Sequence, residues 1–505
     1  MQMLIGYGGV LIFFLIIIFA LEKSHKTDGS GSFSEYATGG RSFGTFYSTM
    51  AFVNTWLPGT IFISFAGFAA SSGIIGFYYV PYSLLAVVLM FLLAKPVHMW
   101  GKAFDLRTQA DLLGLRYHSK TVRVVAAAIG IIASFPWIVL GMQSLTLVFT
   151  HLSFGAVSAT TAVFIGIGLI VARQIWTIRF GARGVIVSDM IQGIAAYLIG
   201  TLIALGLLVW LITNGHGFGP SSSRLFTIPG PGSELGPLYL FSLIVTGALG
   251  GWCWPDIFVR LFASRSTRTI QKSAIQVAPI LLVFGTSITL LALSASTLPG
   301  VQESPDAVWF IAAEVGGVFV VTLAGICVVA ATMGNVGANL QALGAQTAND
   351  IVGVLQERRI ENRRIGQLTV AMLTILAAVF AVSTTQSSHL ITLAMTSYQG
   401  IVQLAPTIFL GIFWKRGTAA AAVCSMISGF VCAAVLQWYF PTSLPQLEGL
   451  TSGVVALVVN VAVYVTIALL FPANAAERQR VNELYLFIDS PQAKSTAKGS
   501  LAISQ

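Results

Sequence analysis

Charge is what this sequence has least of. Only 9% of its 505 residues are Asp, Glu, Lys or Arg, where a soluble domain carries about a quarter. A soluble globular chain is thereby excluded, and the composition is that of an integral membrane protein. Cysteine is scarce as well. Cys253, Cys327, Cys424 and Cys432 all stand in apolar context without CxxC spacing, so they read as small core residues. Of the six histidines, only His98 lies near the cytoplasmic end of a hydrophobic segment, and no two fall at haem-ligating positions on facing spans. That excludes a haem-bearing respiratory subunit. No constellation of nucleophile, base and oxyanion donors is visible, so the chain is not expected to be an enzyme.

What the sequence has in abundance is long apolar runs, with 56% hydrophobic residues and a mean hydropathy of +0.84. Windows of about 20 apolar residues predict about thirteen transmembrane helices. The first, Leu4–Leu21, lacks a basic flank and a small-residue cleavage site and is expected to stay as a helix. Charge alternates between the connecting loops. One set holds Lys23, Lys26 and Arg41, then Lys102, Arg107, Arg116 and Lys120, then Arg179 and Arg183. It continues with Arg265, Arg268 and Lys272, then Arg358, Arg359, Arg363 and Arg364, then Lys415, Arg416 and the tail, whereas the other set holds only Arg224. The positive-inside rule places the N-terminus outside and the C-terminus in the cytoplasm of a cell-membrane protein, and an odd number of spans agrees. The net charge of +9 is then a footprint of topology, with anionic lipid rather than nucleic acid against the basic face. Residues 1–471 are expected to form one polytopic domain, and 472–505 a cytoplasmic tail, partly disordered.

Two spans carry breakers. The second contains "NTWLPGTIF" with Pro58–Gly59, and the seventh "GALGGWCWPDI" with Gly250–Gly251 and Pro255. Proline removes a backbone donor, and in lipid the freed carbonyls are tolerated only where protein or a cavity covers them. The breaks lie five spans apart. Spans over about 47–213 and 236–413 thus form two five-helix halves of opposite orientation, an inverted repeat with substrate and ions expected beside the unwound turns.

The motifs "SEYATGGRSFG", "RTQADLLGLRYHS", "GARGVIVSDMIQG", "WPDIFVRLFAS" and "PTIFLGIFWKRGTAAAAVCSMISG", in this order, resemble the sodium/solute symporter family from about Phe33 to Phe471. The resemblance implies an all-α, leucine-transporter-type core of ten helices, with one helix before and two after. It also implies a secondary active transporter coupled to a cation, Na+ being expected, that moves a small organic solute by alternating access. A four-helix bundle (spans 2, 3, 7 and 8) would rock against spans 4, 5, 9 and 10. Proton-coupled transport, uncoupled transport and solute sensing are the alternatives. Partners are a small organic solute and the bilayer, with no nucleic acid, no cofactor and no oligomeric state specified.

Carried onto this sequence, the family's cation site falls on the carbonyls of Asn54, Leu57 and Ala331 and on Gly334 and Asn335, where a hydroxyl pair is usual. Gly334 offers no side-chain ligand. Asn335 offers an amide oxygen, an acceptable hard-cation ligand; equally, Asn54 and Asn335 could clasp each other across the vacancy, an amide standing in for the cation. Asp189 matches a family aspartate and reads either as a stop on the cation's exit path or as the partner of Arg179 or Arg183. Asp256 stands where histidine is usual and is either a protonatable group or half of an i,i+4 pair with Arg260. Expected solute contacts are Trp56, Trp252, Trp254, Tyr398, Gln399 and Gln403, an aromatic lining that suits a small organic molecule.

Overall fold

The computed structural model describes residues 1–24, 31–218, 220–384 and 390–489, in which the chain is helical and forms no extended strand. Lys26 and residues 490–505 of the tail lie outside the described residues. The apolar runs become helices because lipid offers the backbone no hydrogen-bonding partner and a helix satisfies its own.

Helix α1 spans Gln2–Ser24. The first broken span is α2 (Thr45–Trp56) followed by α3 (Ser64–Ser72), and α4 (Tyr79–Ala103) and α5 (Lys120–Leu152) come next. Helix α6 (Ala159–Gly193) continues through a π-helical turn at Ile194–Ile199 into α7 (Gly200–Leu211). The second broken span is α8 (Pro237–Gly250) with α9 (Pro255–Ala263), bent by 52°. Then follow α10 (Thr267–Ala295), α11 (Gly317–Gln346), α12 (Arg363–Ser383), α13 (Leu390–Ile401), α14 (Ala405–Phe413), α15 (Ala419–Tyr439), α16 (Ser452–Leu470) and α17 (Ala475–Asp489). Where polar loops enter helices, Ser119, Ser158, Ser266 and Thr418 cap them by accepting a backbone N–H.

Among the described residues, nine helices are long and apolar enough to cross a membrane, or ten with the bent pair α8–α9. The expected thirteen exceeds this for two reasons. Broken spans such as α13 (12 residues) and α14 (9 residues) are too short singly. Two long runs, Gly59–Ala103 and Ala159–His216, fuse neighbouring spans. The second of these crosses Gly181 at φ 61°, ψ −148°, a left-handed break that a Cβ would push into the Tyr36 carbonyl at 2.5 Å.

The basic loops gather at one end. Asp105 accepts from Ser34 (2.6 Å), Arg41 (3.0 Å) and Arg359 (2.6 Å), tying three separate loops together. Arg123 pairs with buried Asp350 at 2.7 Å, and Arg480 of α17 donates to the carbonyls of Leu115 and Arg116. At the other end His216 meets Thr297 (2.7 Å) and Glu448 accepts from the Gly232 N–H (3.1 Å). The loops sort by charge as the sequence pattern demands.

Between the ends, α11 is the most enclosed of the long spanning helices, and the first break presses directly on it. A Cβ at Gly59 would lie 2.0 Å from Thr332 Oγ1 and 2.6 Å from the Val328 carbonyl oxygen, whereas one on Gly8 of α1 would meet nothing within 4 Å. Gly59→Val is therefore expected to cost about 1–3 kcal/mol or more through overpacking, read as a lower thermal midpoint in detergent. Gly8→Ala should show no loss. Equal midpoints for the two variants would overturn this packing.

Candidate functional site

The site begins with what the two breaks leave exposed. Leu57 and Pro58 are extended (φ −101°, ψ 99° and φ −73°, ψ 165°), so the last carbonyls of α2 lose their helical partners. Side chains from other helices take them over. The Tyr197 hydroxyl donates to the Leu57 carbonyl, and Asn335 Nδ2 donates to the Thr55 carbonyl at 2.7 Å. At the second break, Gln109 Nε2 donates to the Trp252 carbonyl at 2.8 Å.

The two breaks face each other across a small, partly open cavity with about 10 Å³ of room, enough for one water-sized particle. Thr55 and Trp56 line it from the end of α2, Gly251 and Trp254 from the second break, and Asp256 and Ile257 from the start of α9. Trp137 of α5, Tyr398 of α13, and Asn335 and Asn339 of α11 complete the lining, and every one of these residues is buried. Trp137, Trp254 and Tyr398 form a three-ring cage, with centroids 5.2, 5.4 and 5.8 Å apart. Tyr398 is held by a 2.8 Å hydroxyl contact to Tyr82, and Trp56 by its indole N–H on Ser83 Oγ at 2.7 Å.

Of the expected solute contacts, Trp56, Trp254 and Tyr398 come together here, and three others do not. Trp252 points into the scaffold, its indole N–H donating to the Ala86 carbonyl at 2.8 Å and its ring stacked on Phe52. Gln399 and Gln403 bind the backbone N–H and carbonyl of Gly453 at the start of α16, at 2.9 and 3.0 Å. They fasten the last helices to the core.

Of the five expected cation ligands, Asn54, Leu57, Gly334 and Asn335 lie close together, but side chains of the protein already fill the space between them. A Cβ on Gly334 would lie 1.8 Å from Asn54 Nδ2. That nitrogen donates to Asp189 Oδ1 (2.9 Å) and Gln192 Oε1 (3.3 Å), while Asn54 Oδ1 accepts from the Tyr197 hydroxyl (3.2 Å). A carboxylate only accepts, so Asp189 fixes the orientation of the amide. The Leu57 carbonyl is taken by Tyr197, and Asn335 Oδ1 by the Trp137 indole N–H at 3.1 Å. The Asn54–Asn335 clasp does not form; each asparagine binds elsewhere.

Asp189 is fully buried and pairs with neither Arg179, which meets Glu22 at 2.8 Å, nor Arg183. Its second oxygen faces Arg260 Nη2 at 3.2 Å, and the same guanidinium forks onto Thr55 Oγ1 at 2.8 and 3.1 Å. Arg260 is thus committed to Asp189 and not to Asp256. Arg173, which the sequence pattern did not single out, lies in the same buried cluster. It donates to Ser188 Oγ at 2.6 Å and rests against Gly337, where a Cβ would come within 3.1 Å of Nη1. An arginine inside an apolar run was the available signal. Thr55, Trp137, Ile257 and Asn339 were also missed as lining residues.

Two glycines of α11, Gly334 and Gly337, therefore make room for an amide and a guanidinium. Gly334→Ala should cost roughly 1–3 kcal/mol through the collision with Asn54. Adding Asn54→Ala should recover part of that loss, since the colliding atom is gone, and thermal unfolding of the single and double variants reads the coupling. Strictly additive losses would refute the contact.

Comparison with known proteins accords with this architecture. Residues 36–429 match the profile of the family described as "Sodium:solute symporter family". A monocarboxylate transport permease protein of Rhizobium johnstonii is 24% identical over 494 residues, 93% of this chain and 98% of its own. A monocarboxylic acid transporter of Corynebacterium glutamicum is 22% identical, covering 86% and 83%. The sodium/pantothenate symporter of Escherichia coli is 23% identical, covering 84% and 89%. Among solved structures, a Na+-coupled sialic acid symporter in a substrate-bound outward-open state superposes with a TM-score of 0.75 at 15% identity, over 93% of this chain and 99% of that one. A nucleobase-cation-symport-1 family transporter in a closed conformation gives 0.56 at 15% identity, over 90% and 99%. The fold is the leucine-transporter type, and the chain belongs to the sodium:solute symporter family.

Proposed function

We propose that this protein is a sodium-coupled symporter of a small monocarboxylate, working by alternating access across the cell membrane. The observation that carries the reading is the cavity between the two broken helices, caged by Trp137, Trp254 and Tyr398 and floored by Asp256. Its rings suit a short apolar chain, and the cavity, which now has room for one water-sized particle, would have to widen to admit a solute. Two relatives bear monocarboxylate names and one is called a sodium symporter. No basic side chain lines the cavity, so a carboxylate would enter with a cation. A proton-coupled mode is the second reading, favoured by one observation: Asn54 Nδ2 fills the space beside Gly334 where a cation would be expected.

The direct test is uptake of labelled pyruvate or propionate into proteoliposomes. An inward Na+ gradient should drive accumulation above equilibrium, and choline in place of Na+ should abolish it. Accumulation that follows an inward proton gradient and ignores Na+ would establish the second reading instead.

In this reading the gathered basic loops face the cytoplasm and the end bearing Arg224 faces out. In a chain with its four cysteines replaced, cysteine at Thr227 should react with an impermeant maleimide on intact cells. Cysteine at Arg416 should react only after permeabilisation, and the opposite pattern would invert the topology.

A further inference from the structure

Asn339 and Asp256 are the cavity's two unsatisfied residues. Asn339 Nδ2 donates to Asp256 Oδ2 at 2.8 Å. That bond fixes the amide's orientation, since the carboxylate can only accept, and it leaves Asn339 Oδ1 as an acceptor. Asn339 Oδ1 and Asp256 Oδ1 are both buried and both lack a hydrogen-bond partner, although the N–H groups of Asp256 and Ile257 face the carboxylate. Arg260, one turn along α9, acts on Asp256 only through space, because the direct bonds of its guanidinium go to Asp189 and Thr55. A buried carboxylate with an unpartnered oxygen beside an unpartnered amide oxygen offers a cation two unmet acceptors.

The surroundings favour a cation. Helices α2 and α8 both end at this cavity, presenting the negative ends of their dipoles to it through Thr55, Trp56 and Gly251, against one positive end at the start of α9. The room is that of one water or one small bare ion. Oxygen donors from a carboxylate and an amide suit a hard cation. Among the described residues no cluster of three or more His, Cys, Asp or Glu exists to hold a transition metal.

We propose that Asp256 Oδ1 and Asn339 Oδ1 form a Na+ site on the floor of the solute cavity, separate from the position beside Gly334 that Asn54 fills. This deepens the sodium-symport reading and rests on it. Once the cavity widens to admit the solute, the bound ion would lie between Asp256 and the solute's carboxylate, which completes its coordination. Without the ion, two carboxylates would face each other among buried residues and repel. Solute and Na+ therefore tighten each other by the same factor, and that is the coupling.

The test uses the full-length protein in detergent, replacing choline chloride by NaCl at constant ionic strength and following the thermal midpoint with and without pyruvate. Wild type should show a saturable Na+ shift whose half-saturating concentration falls when pyruvate is present. Asn339→Leu and Asp256→Asn should raise that concentration by about tenfold or more, the loss of one ligand to a charge. Asn339→Asp keeps the oxygen and sets a second carboxylate beside Asp256, so its stability should depend on Na+ more steeply than the wild type's. A merely structural asparagine would not produce that response. Tyr197→Phe frees the Leu57 carbonyl at the conventional position and should leave the Na+ response within about twofold. Tighter Na+ binding in Tyr197→Phe, or an unchanged response in both Asn339→Leu and Asp256→Asn, would overturn this site while leaving sodium symport standing. A wild type that ignores Na+, with or without pyruvate, would overturn sodium symport itself, and the site with it.

Discussion

The rest of this structure depends on how a lipid-embedded chain handles backbone that is not helical. An unwound turn at membrane depth exposes carbonyls that lipid cannot satisfy, so each must be met by protein. The partners here come from other parts of the chain: Tyr197 on the Leu57 carbonyl, Asn335 on that of Thr55, Gln109 on that of Trp252. These bonds explain why polar residues stand at those points in otherwise apolar sequence. They also fix where the two breaks sit relative to each other, and hence where the cavity can form.

Polar partners at depth bring charge with them. Asp189, Arg260 and Arg173 lie in one buried cluster, with Asn54 and Thr55 as its neutral members. Desolvating such groups is costly unless each is met, and removing one member of a buried pair leaves its partner stranded, at roughly 3–5 kcal/mol. Gly334 and Gly337 follow from the same requirement, because an amide and a guanidinium must press against α11 for the pairing to close. The small residues are not incidental to the membrane helix; they are the complement of the charge cluster.

Much of this was legible in the sequence, and what was not has a physical reason. Pro58 and Pro255 marked the breaks because proline's lost donor is a local property. The charged loops marked which ends gather together, because charge placement survives without knowledge of packing. Orientation about a helix axis did not survive so well. Trp252 and Trp254 both flank the break, yet only Trp254 faces the cavity, since the turn at Gly251–Cys253 rotates one ring toward Phe52. Gln399 and Gln403 are one turn apart and face α16 instead of the cavity, which no local pattern distinguishes. Asn335 and Asn339 are likewise one turn apart. Asn335 is satisfied at both ends by Thr55 and Trp137, whereas Asn339 keeps an oxygen in reserve, and only the positions of α2 and α5 decide which is which.

This division between the two asparagines separates holding from binding. The position beside Gly334 is bridged in this structure by donors that belong to the chain, which join the first break to α11. An ion that is to be carried must bind one conformation better than the other, since a ligand shifts a conformational equilibrium only by its differential affinity, and an unmet charge is one source of that difference. Asp256 is the cavity residue with such a charge, and it sits at the first turn of the helix that follows the second break. A ligand held there touches α9 and α11 at once, so filling or emptying it changes the force between the two elements whose relative movement would open the cavity.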